Sequence, residues 1–442
     1  MSSRSLRILL FSLLFILLIL ALFISSGPAT SLWLKAPGWS RARLIADAPL
    51  NQPAPVVVDE QGQLYLFLFQ EMGQAISPQL MAFNRDLEVL WSQTVDHQVS
   101  EPTGAQVLWH GETIHLFWLD EMQLYSAQLG RDGEIKQSPY LLSGATAINS
   151  YTAALGPDGT PHIWYSGSAS TPGIYQIVAD ELNSEPTVVD PLGVNAQIRI
   201  DQAGNIHTVW VTDPTSNTPT LHYNTSPAKE FNQSGSTPII TLSLRADTTF
   251  EGPWLGLDQQ QVYLIWAEFP NSGRSAGQRT VNYTHFPQQD PANKSGPEVI
   301  QAPYTRRLKY EAPINNGLET GLRVSLDQLA GRRVSPSELA INPANEAEFV
   351  LAMRVRAEHL EDKEASQIGV AFFQAGQKMG YQPLSFTPGP SAKPTVISDG
   401  AQQLYLTWLE AREGGGFHIY LASTASDIIA FLRPLSLEDI AR

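Results

Sequence analysis

One phrase recurs along this chain: a short apolar segment, a turn built on Asp or Gly, and a second apolar segment closing on an aromatic residue. It reads Val56–Val58, Asp59 to Gly62, then Leu64–Leu68; it returns as Val107–Trp109, His110-Gly111, then Ile114–Trp118. The third copy is Ala154-Leu155, Gly156 to Gly159, then Pro161–Tyr165, and the fourth Ile198–Ile200, Asp201 to Gly204, then Ile206–Trp210. Later copies end at Val262–Trp266 and Leu404–Trp408, and a degenerate one fits Leu339–Pro343 followed by Glu348–Ala352. Anchored on the last residue of the second segment, the copies fall at 68, 118, 165, 210, 266, 352 and 408. Self-similarity at this period means stacked supersecondary units, each burying a face that it cannot bury alone.

The steps of 50, 47, 45, 56, 86 and 56 residues centre on the length of a four-stranded unit, and the long step implies an insertion of some 30 residues. A third strand follows most copies, as at Gln123–Ala127, Gly173–Ile177, Leu221–Asn224, Val281–Thr284 and Phe417–Leu421, and Pro186–Val189 reads as an outer fourth. The predicted fold is an all-β, seven-bladed β-propeller, with six or eight blades as alternatives. After the last copy only Ile428–Leu432 and a polar tail remain, whereas Ser40–Ile45 stands ahead of the first copy as a strand without a blade. Completing the last blade with that N-terminal strand removes an open sheet edge. The predicted domains are a propeller over residues 40–442 and an insertion at about 287–335, preceded by a linker over 27–39.

Residues 1–26 read as a signal anchor. Arg4 and Arg7 precede an apolar run from Ile8 to Ile24 broken only by Ser12, about the shortest length that spans a bilayer as a helix. Basic residues ahead of the run keep the N-terminus cytoplasmic and export the rest. The expectation is a single-pass protein of the cytoplasmic membrane with its propeller outside, or a secreted one if Ser25 to Ala29 is cleaved. A net charge of −15 argues against nucleic acid as a partner, since phosphate contacts need clustered Lys and Arg. With no cysteine there are no disulfides and no thiolate chemistry, and no cofactor or metal is predicted. Four sequons, at Asn224, Asn232, Asn282 and Asn293, mark glycosylation acceptors in a host that modifies exported proteins.

The Asp turn, the Gly and the strand closing on Trp resemble, in outline, the Asp-box repeat of sialidase-like propellers, over most of residues 50–425. The resemblance departs from the family pattern where Val57 and Arg199 stand in place of its Ser. It implies a fold and not an activity, because the family's box lies away from its catalytic face. The arginine trio and Tyr–Glu pair of true sialidases do not stand out here. His115, His162 and His207 occupy equivalent positions and read as structural rather than as a metal triad.

By analogy with such folds, ligands are expected at the end where the second strand leaves and the first strand enters. Residues read there as ligand-binding candidates are Glu101, Asp120, Glu251, Glu268, Arg354, Lys393 and Glu410, with Trp-x-acid recurring at Trp118/Asp120, Trp266/Glu268 and Trp408/Glu410. An acidic rim with one cation suits a cationic or metal-bearing ligand or a glycan, and paired carboxylates also perform glycoside hydrolysis. The insertion gathers Arg306, Arg307, Lys309, Arg323, Arg332 and Arg333, a basic stretch suited to an acidic partner or a lipid surface. The expected function is a membrane-tethered module that binds or scaffolds a protein or glycan ligand. The alternatives are a glycosidase of sialidase-like architecture and a purely structural envelope component.

Overall fold

The computed structural model describes residues 39–424 except 41, 74, 145, 179–185, 202, 213–218, 228–237, 246, 258–260, 271–279, 300–338, 342–347, 357–365, 375–376, 386–388, 390, 399–402 and 413–414. For 251, 269–270, 280–281, 298–299, 339–341, 348–356, 366–367, 371–374, 377–383 and 398 it describes the backbone alone. The anchor over 1–26, most of the linker and the basic insertion residues therefore lie outside the described residues. Among the described residues no helix is long and apolar enough to cross a membrane.

The described chain is all-β. After β1 (Arg43–Ala48) come four strands of one antiparallel sheet: β2 (Val56–Val58), β3 (Leu64–Met72), β4 (Ala75–Phe83) and β5 (Val89–Thr94). The second sheet is β6 (Pro102–His110), β7 (Thr113–Asp120), β8 (Gln123–Gly130) and β9 (Ile135–Leu141), and the third β10 (Ile148–Leu155), β11 (Pro161–Gly167), β12 (Ile174–Val178) and β13 (Thr187–Asp190). The fourth is β14 (Gly193–Ile200), β15 (Asn205–Thr212), β16 (Thr220–Pro227) and β17 (Ile240–Ser243). The fifth is β18 (Thr248–Leu257), β19 (Gln261–Pro270), β20 (Thr280–Pro287) and β21 (Glu298–Val299), so the first dozen residues of the expected insertion belong to this sheet. The sixth is β22 (Leu339–Ile341), β23 (Glu348–Arg356), β24 (Ser366–Gln374) and β25 (Gln377–Pro383). The last sheet takes β26 (Ser391–Ser398), β27 (Leu404–Ala411) and β28 (Phe417–Ser423), and its outer place is filled by β1.

Each sheet's first strand touches the first strand of the next, from β2 through β6, β10, β14, β18 and β22 to β26, and β26 touches β2. Four-stranded antiparallel sheets arranged this way have the architecture of a β-propeller. The closure joins the two ends of the chain: β1 pairs antiparallel with β28, Arg43 facing Leu421 and Ala48 facing Phe417. Side chains reinforce it, since Asp47 accepts from His418 Nδ1 at 2.6 Å and pairs with Arg412 at 3.1 Å. Trp39, ahead of β1, is buried against Ile368, Val370, Val396, Leu406 and Trp408.

The repeated aromatic has a packing reason. Trp118 faces Tyr125 across β7 and β8 and stacks on it, as Tyr165 does on Tyr175 and Trp408 on Tyr420, at centroid distances of 5.9, 5.1 and 5.9 Å. Such cross-strand pairs, wholly buried at the second strand, are what a sheet layered between two others requires. The Asp and Gly turns have a reason of their own. In the turns beginning at Asp59, Gly156 and Asp201 the fourth residue donates its N–H to the first residue's carbonyl, and Gly62, Gly159 and Gly204 adopt φ of +76°, +84° and +81°. A Cβ on Gly204 would lie 2.7 Å from Pro157, and one on Gly159 2.7 Å from His110, each in the preceding sheet. Glycine is therefore required both by conformation and by the close stacking of one sheet on the next.

Candidate functional site

Two ends of the ring can be told apart by register. Where Pro102 faces Asp120 and Ser391 faces Glu410, first strands begin and second strands finish. This entry end carries the predicted candidates, and the Asp and Gly turns occupy the opposite end.

The turn end is occupied by structural polar networks. Asp59 Oδ1 accepts the N–H groups of Gln61 and Gln63 at 2.8 and 2.9 Å, and its other oxygen takes the Tyr65 hydroxyl and the Arg131 guanidinium from the neighbouring sheet. Arg131 also reaches Glu112 at 3.2 Å. Burial, together with the Asp59 charge, pushes the Tyr65 phenol up to about 12. Asp201 works the same way: it accepts from the backbone and side chain of Asn205 and meets His207 Nε2 at 3.2 Å. Burial opposes its ionisation, but these hydrogen bonds prevail and hold the carboxyl at about 2. His207 Nδ1 lies 2.7 Å from the Tyr223 hydroxyl, so both its ring nitrogens are engaged within one sheet. His115 is buried, and desolvation, with the charges of His110 and Lys136, lowers its imidazole to about 4. Among the described residues no three His, Asp or Glu side chains converge to a metal-sized cluster.

At the entry end, the acids of the Trp-x-acid pattern serve the sheets that carry them. Asp120 is buried, and its Oδ1 accepts the N–H groups of Ser100 and Glu101 at 2.9 and 2.8 Å, tying down the segment that leads into β6. Glu410 is buried as well, and accepts the Gly389 N–H at 2.5 Å just ahead of β26. Glu268 is half-buried and accepts the Trp266 indole N–H at 2.9 Å. The fourth sheet reverses the arrangement: Thr212 stands at the strand end, and Asp190, on the incoming side, accepts from Thr212, Trp210 and the Leu192 N–H. Burial works against the Asp190 charge, but these three donors keep its carboxyl below the ordinary range. Glu101 is exposed, as is Lys393 in β26. Glu251 lies in β18 opposite Ala267 and Arg354 in β23 opposite Ile368, and the side chains of both are outside the description. Of the sequons, Asn224 and Asn282 are buried within β16 and β20, Asn293 is exposed, and Asn232 lies outside the described residues.

The sequence reading missed a bulge that recurs in the first strands. Register shifts fall between Thr103 and Gln106, Val194 and Gln197, Glu251 and Trp254, and Ala392 and Thr395. In each, the first inserted residue is left-handed: Gly104, Asn195, Gly252 and Lys393 have φ of +61°, +55°, +98° and +50°. The bulge frees the next side chains to bridge sheets. Gln106 accepts from the Ala153 N–H and Gln197 from the Leu255 N–H, at 3.0 and 2.9 Å. Gly-Ala-Gln and Asn-Ala-Gln near a strand start were the available signals. Left-handed non-glycine residues in fact concentrate here. Of the six among the described residues, Glu121, Met122, Asn195, Asp247 and Lys393 lie at the entry end and Leu87 alone at the other.

No family model matches this chain, and no curated protein does. Solved structures do. The fold is similar to that of polysaccharide lyase Uly1, at 11% identity over 86% of this chain and 90% of that one, with a TM-score of 0.51. It is similar also to the BP39L lectin from Burkholderia pseudomallei, at 12% identity over 85% of this chain and 97% of the lectin, again with a TM-score of 0.51. At such identity the likeness is one of fold.

Proposed function

We propose that this chain is a seven-bladed propeller that binds a glycan on its entry end, as a recognition module rather than a hydrolase. The observation that carries this reading is the backbone strain at Lys393, an exposed lysine held left-handed at φ +50° on the entry end. Glu121 and Met122 are the two central residues of the tight β7–β8 hairpin, whose turn takes positive φ at both, and Asn195 and Asp247 are residue types that tolerate it, so the lysine stands apart. Strain of this kind costs about 1–3 kcal/mol, persists only where the surrounding structure over-determines it, and clusters at ligand clamps and active sites. A fold shared with a lectin and a polysaccharide lyase supports a carbohydrate as the ligand. The binding reading is preferred to hydrolysis because the buried carboxylates of Asp120 and Glu410 are engaged by backbone N–H groups of their own sheets. Residues 8–24 are proposed to hold the propeller outside the cytoplasmic membrane.

The test is a glycan array probed with the full-length chain in detergent micelles, followed by product analysis on every glycan retained. Retention without cleavage is the expected outcome. Cleavage products would favour the enzyme reading, and failure to retain any glycan would sink the carbohydrate assignment. Protease added outside intact cells should degrade the propeller, and full protection there would overturn the proposed orientation.

A further inference from the structure

Lys393 is the anomaly among the bulges. Where the second, fourth and fifth sheets place Gly104, Asn195 and Gly252, residues that tolerate a left-handed backbone, the last sheet places a lysine at φ +50°. The side chain is exposed, and no hydrogen bond or ion pair engages it among the described residues. Nothing in the packing demands a lysine there, since glycine fills the equivalent place twice without strain. The neighbouring strand points the same way. β23 packs against β26, and the register puts Arg354 and Arg356 at its entry-end terminus. The topology thus brings three cationic residues to one end of two adjacent sheets, in a chain with 28 basic and 43 acidic residues.

We infer that Lys393 is a binding residue for an anionic group, a carboxylate or sulfate, on the glycan. The inference rests on the glycan reading above and narrows it to acidic saccharides. An ammonium on a flexible stem at the ring's inner edge offers a charge-assisted hydrogen bond to such a group. A competing counter-ion exists in the chain itself, because the segment joining β23 to β24 contains Glu358, Glu361, Asp362 and Glu364. The two partners predict opposite effects on stability. A lysine held for a ligand is a source of strain in the free protein, whereas one paired with that segment is a source of support.

The experiment compares the full-length chain with Lys393→Gly and Lys393→Arg. The readouts are Tm and affinity for an oligogalacturonate, its carboxyl-reduced neutral counterpart and a sulfated galactan oligosaccharide. In the ligand-free protein Lys393→Gly should raise Tm by about 1–2 °C. It should weaken binding of the acidic probes about tenfold or more while leaving any binding of the neutral one unchanged. Lys393→Arg should keep acidic binding, and whichever of the uronate and sulfate probes loses more identifies the group held. A fall in Tm on Lys393→Gly, a preference for the neutral probe, or unchanged affinity for the acidic ones overturns the inference. Wild-type protein that binds none of the three while retaining other neutral glycans on the array overturns it too, and leaves the glycan reading standing.

Discussion

At the scale of single residues, burial lowers the imidazoles of His97, His115 and His222, whereas hydrogen bonds prevail over burial at Asp190 and Asp201. His115 is the clearest case: its imidazole sits among buried strands, and desolvation, reinforced by His110 and Lys136, lowers it from its ordinary value to about 4. Between about pH 6.5 and 4 the unfolded chain therefore binds a proton that the native chain refuses. The stability that His115 contributes is complete above pH 6.5 and is lost as pH falls toward 4, on the order of 2–3 kcal/mol. Urea unfolding of His115→Gln at pH 7 and pH 4.5 should show a smaller loss on acidification than the parent chain. An equal loss would assign the acid sensitivity elsewhere, His97 and His222 being lowered by burial as well. Asp120 makes the opposite kind of contribution, as an acceptor for the Ser100 and Glu101 N–H groups. Asp120→Ala should cost about 1–3 kcal/mol, since two backbone donors lose their acceptor, and Asp120→Asn should cost less. Equal stability of all three chains in chemical denaturation would contradict the assigned role.

At the scale of elements, the second strand and the turn before it are where one sheet locks onto another. Gly204 and Gly111 separate the two demands placed on a turn glycine. Both are left-handed, at φ +81° and +58°, but a Cβ on Gly204 would meet Pro157 at 2.7 Å while one on Gly111 would meet nothing within 4 Å. Gly111→Ala should therefore cost only the conformational term of about 1–2 kcal/mol, and Gly204→Ala about 2–4 kcal/mol. Denaturation midpoints that fall equally would mean that the stacked turns yield without cost. The same physics decides how much of this fold the sequence discloses. Leu64–Phe69 is buried on both faces and reads as an unbroken apolar run, and Leu404–Leu409 as one interrupted only by Thr407, so the second strand of each repeat was legible, even in the degenerate copy at Glu348–Ala352. Outer strands such as β5 and β9 have no buried residue, alternate between half-buried and exposed, and mix apolar with polar residues, so they carry no comparable signal. The entry end was legible as a place, because register follows from the hairpins. The direction of its side chains was not: Asp120 and Glu410 turn toward backbone N–H groups that only the folded entry segments supply. Nor does any property of a lysine announce that Lys393 stands in a left-handed bulge.

At the scale of the whole molecule, stability depends on joining residues nearly four hundred positions apart in the chain. β1 supplies the outer strand of the last sheet, and Thr407 Oγ1 donates to the Ala54 carbonyl at 2.9 Å across the junction of the last and first sheets. Trp39 secures the approach, buried in the cluster of Ile368, Val396 and Trp408. Removing residues 1–48 would leave β28 as an open edge, with unpaired backbone groups and the partners of Trp39 exposed. Such a chain should unfold at lower temperature and in more than one calorimetric transition, because the last sheet loses its outer strand and the contact of that strand with β3. The junction of last and first sheets is then held chiefly by β26 and β2. The free β28 edge should also make it associate with rising concentration, which light scattering would detect. A chain lacking only residues 1–30 keeps Trp39 and β1, and should melt as the full-length protein does. Trp39→Ala within the full chain isolates the packing contribution and should cost about 3–5 kcal/mol. If the 1–48 deletion instead melted in one transition at the parent's temperature, the remaining pairings would suffice to hold the ring. The join between the two chain ends would then be a local strand pairing rather than the closure on which cooperative unfolding depends.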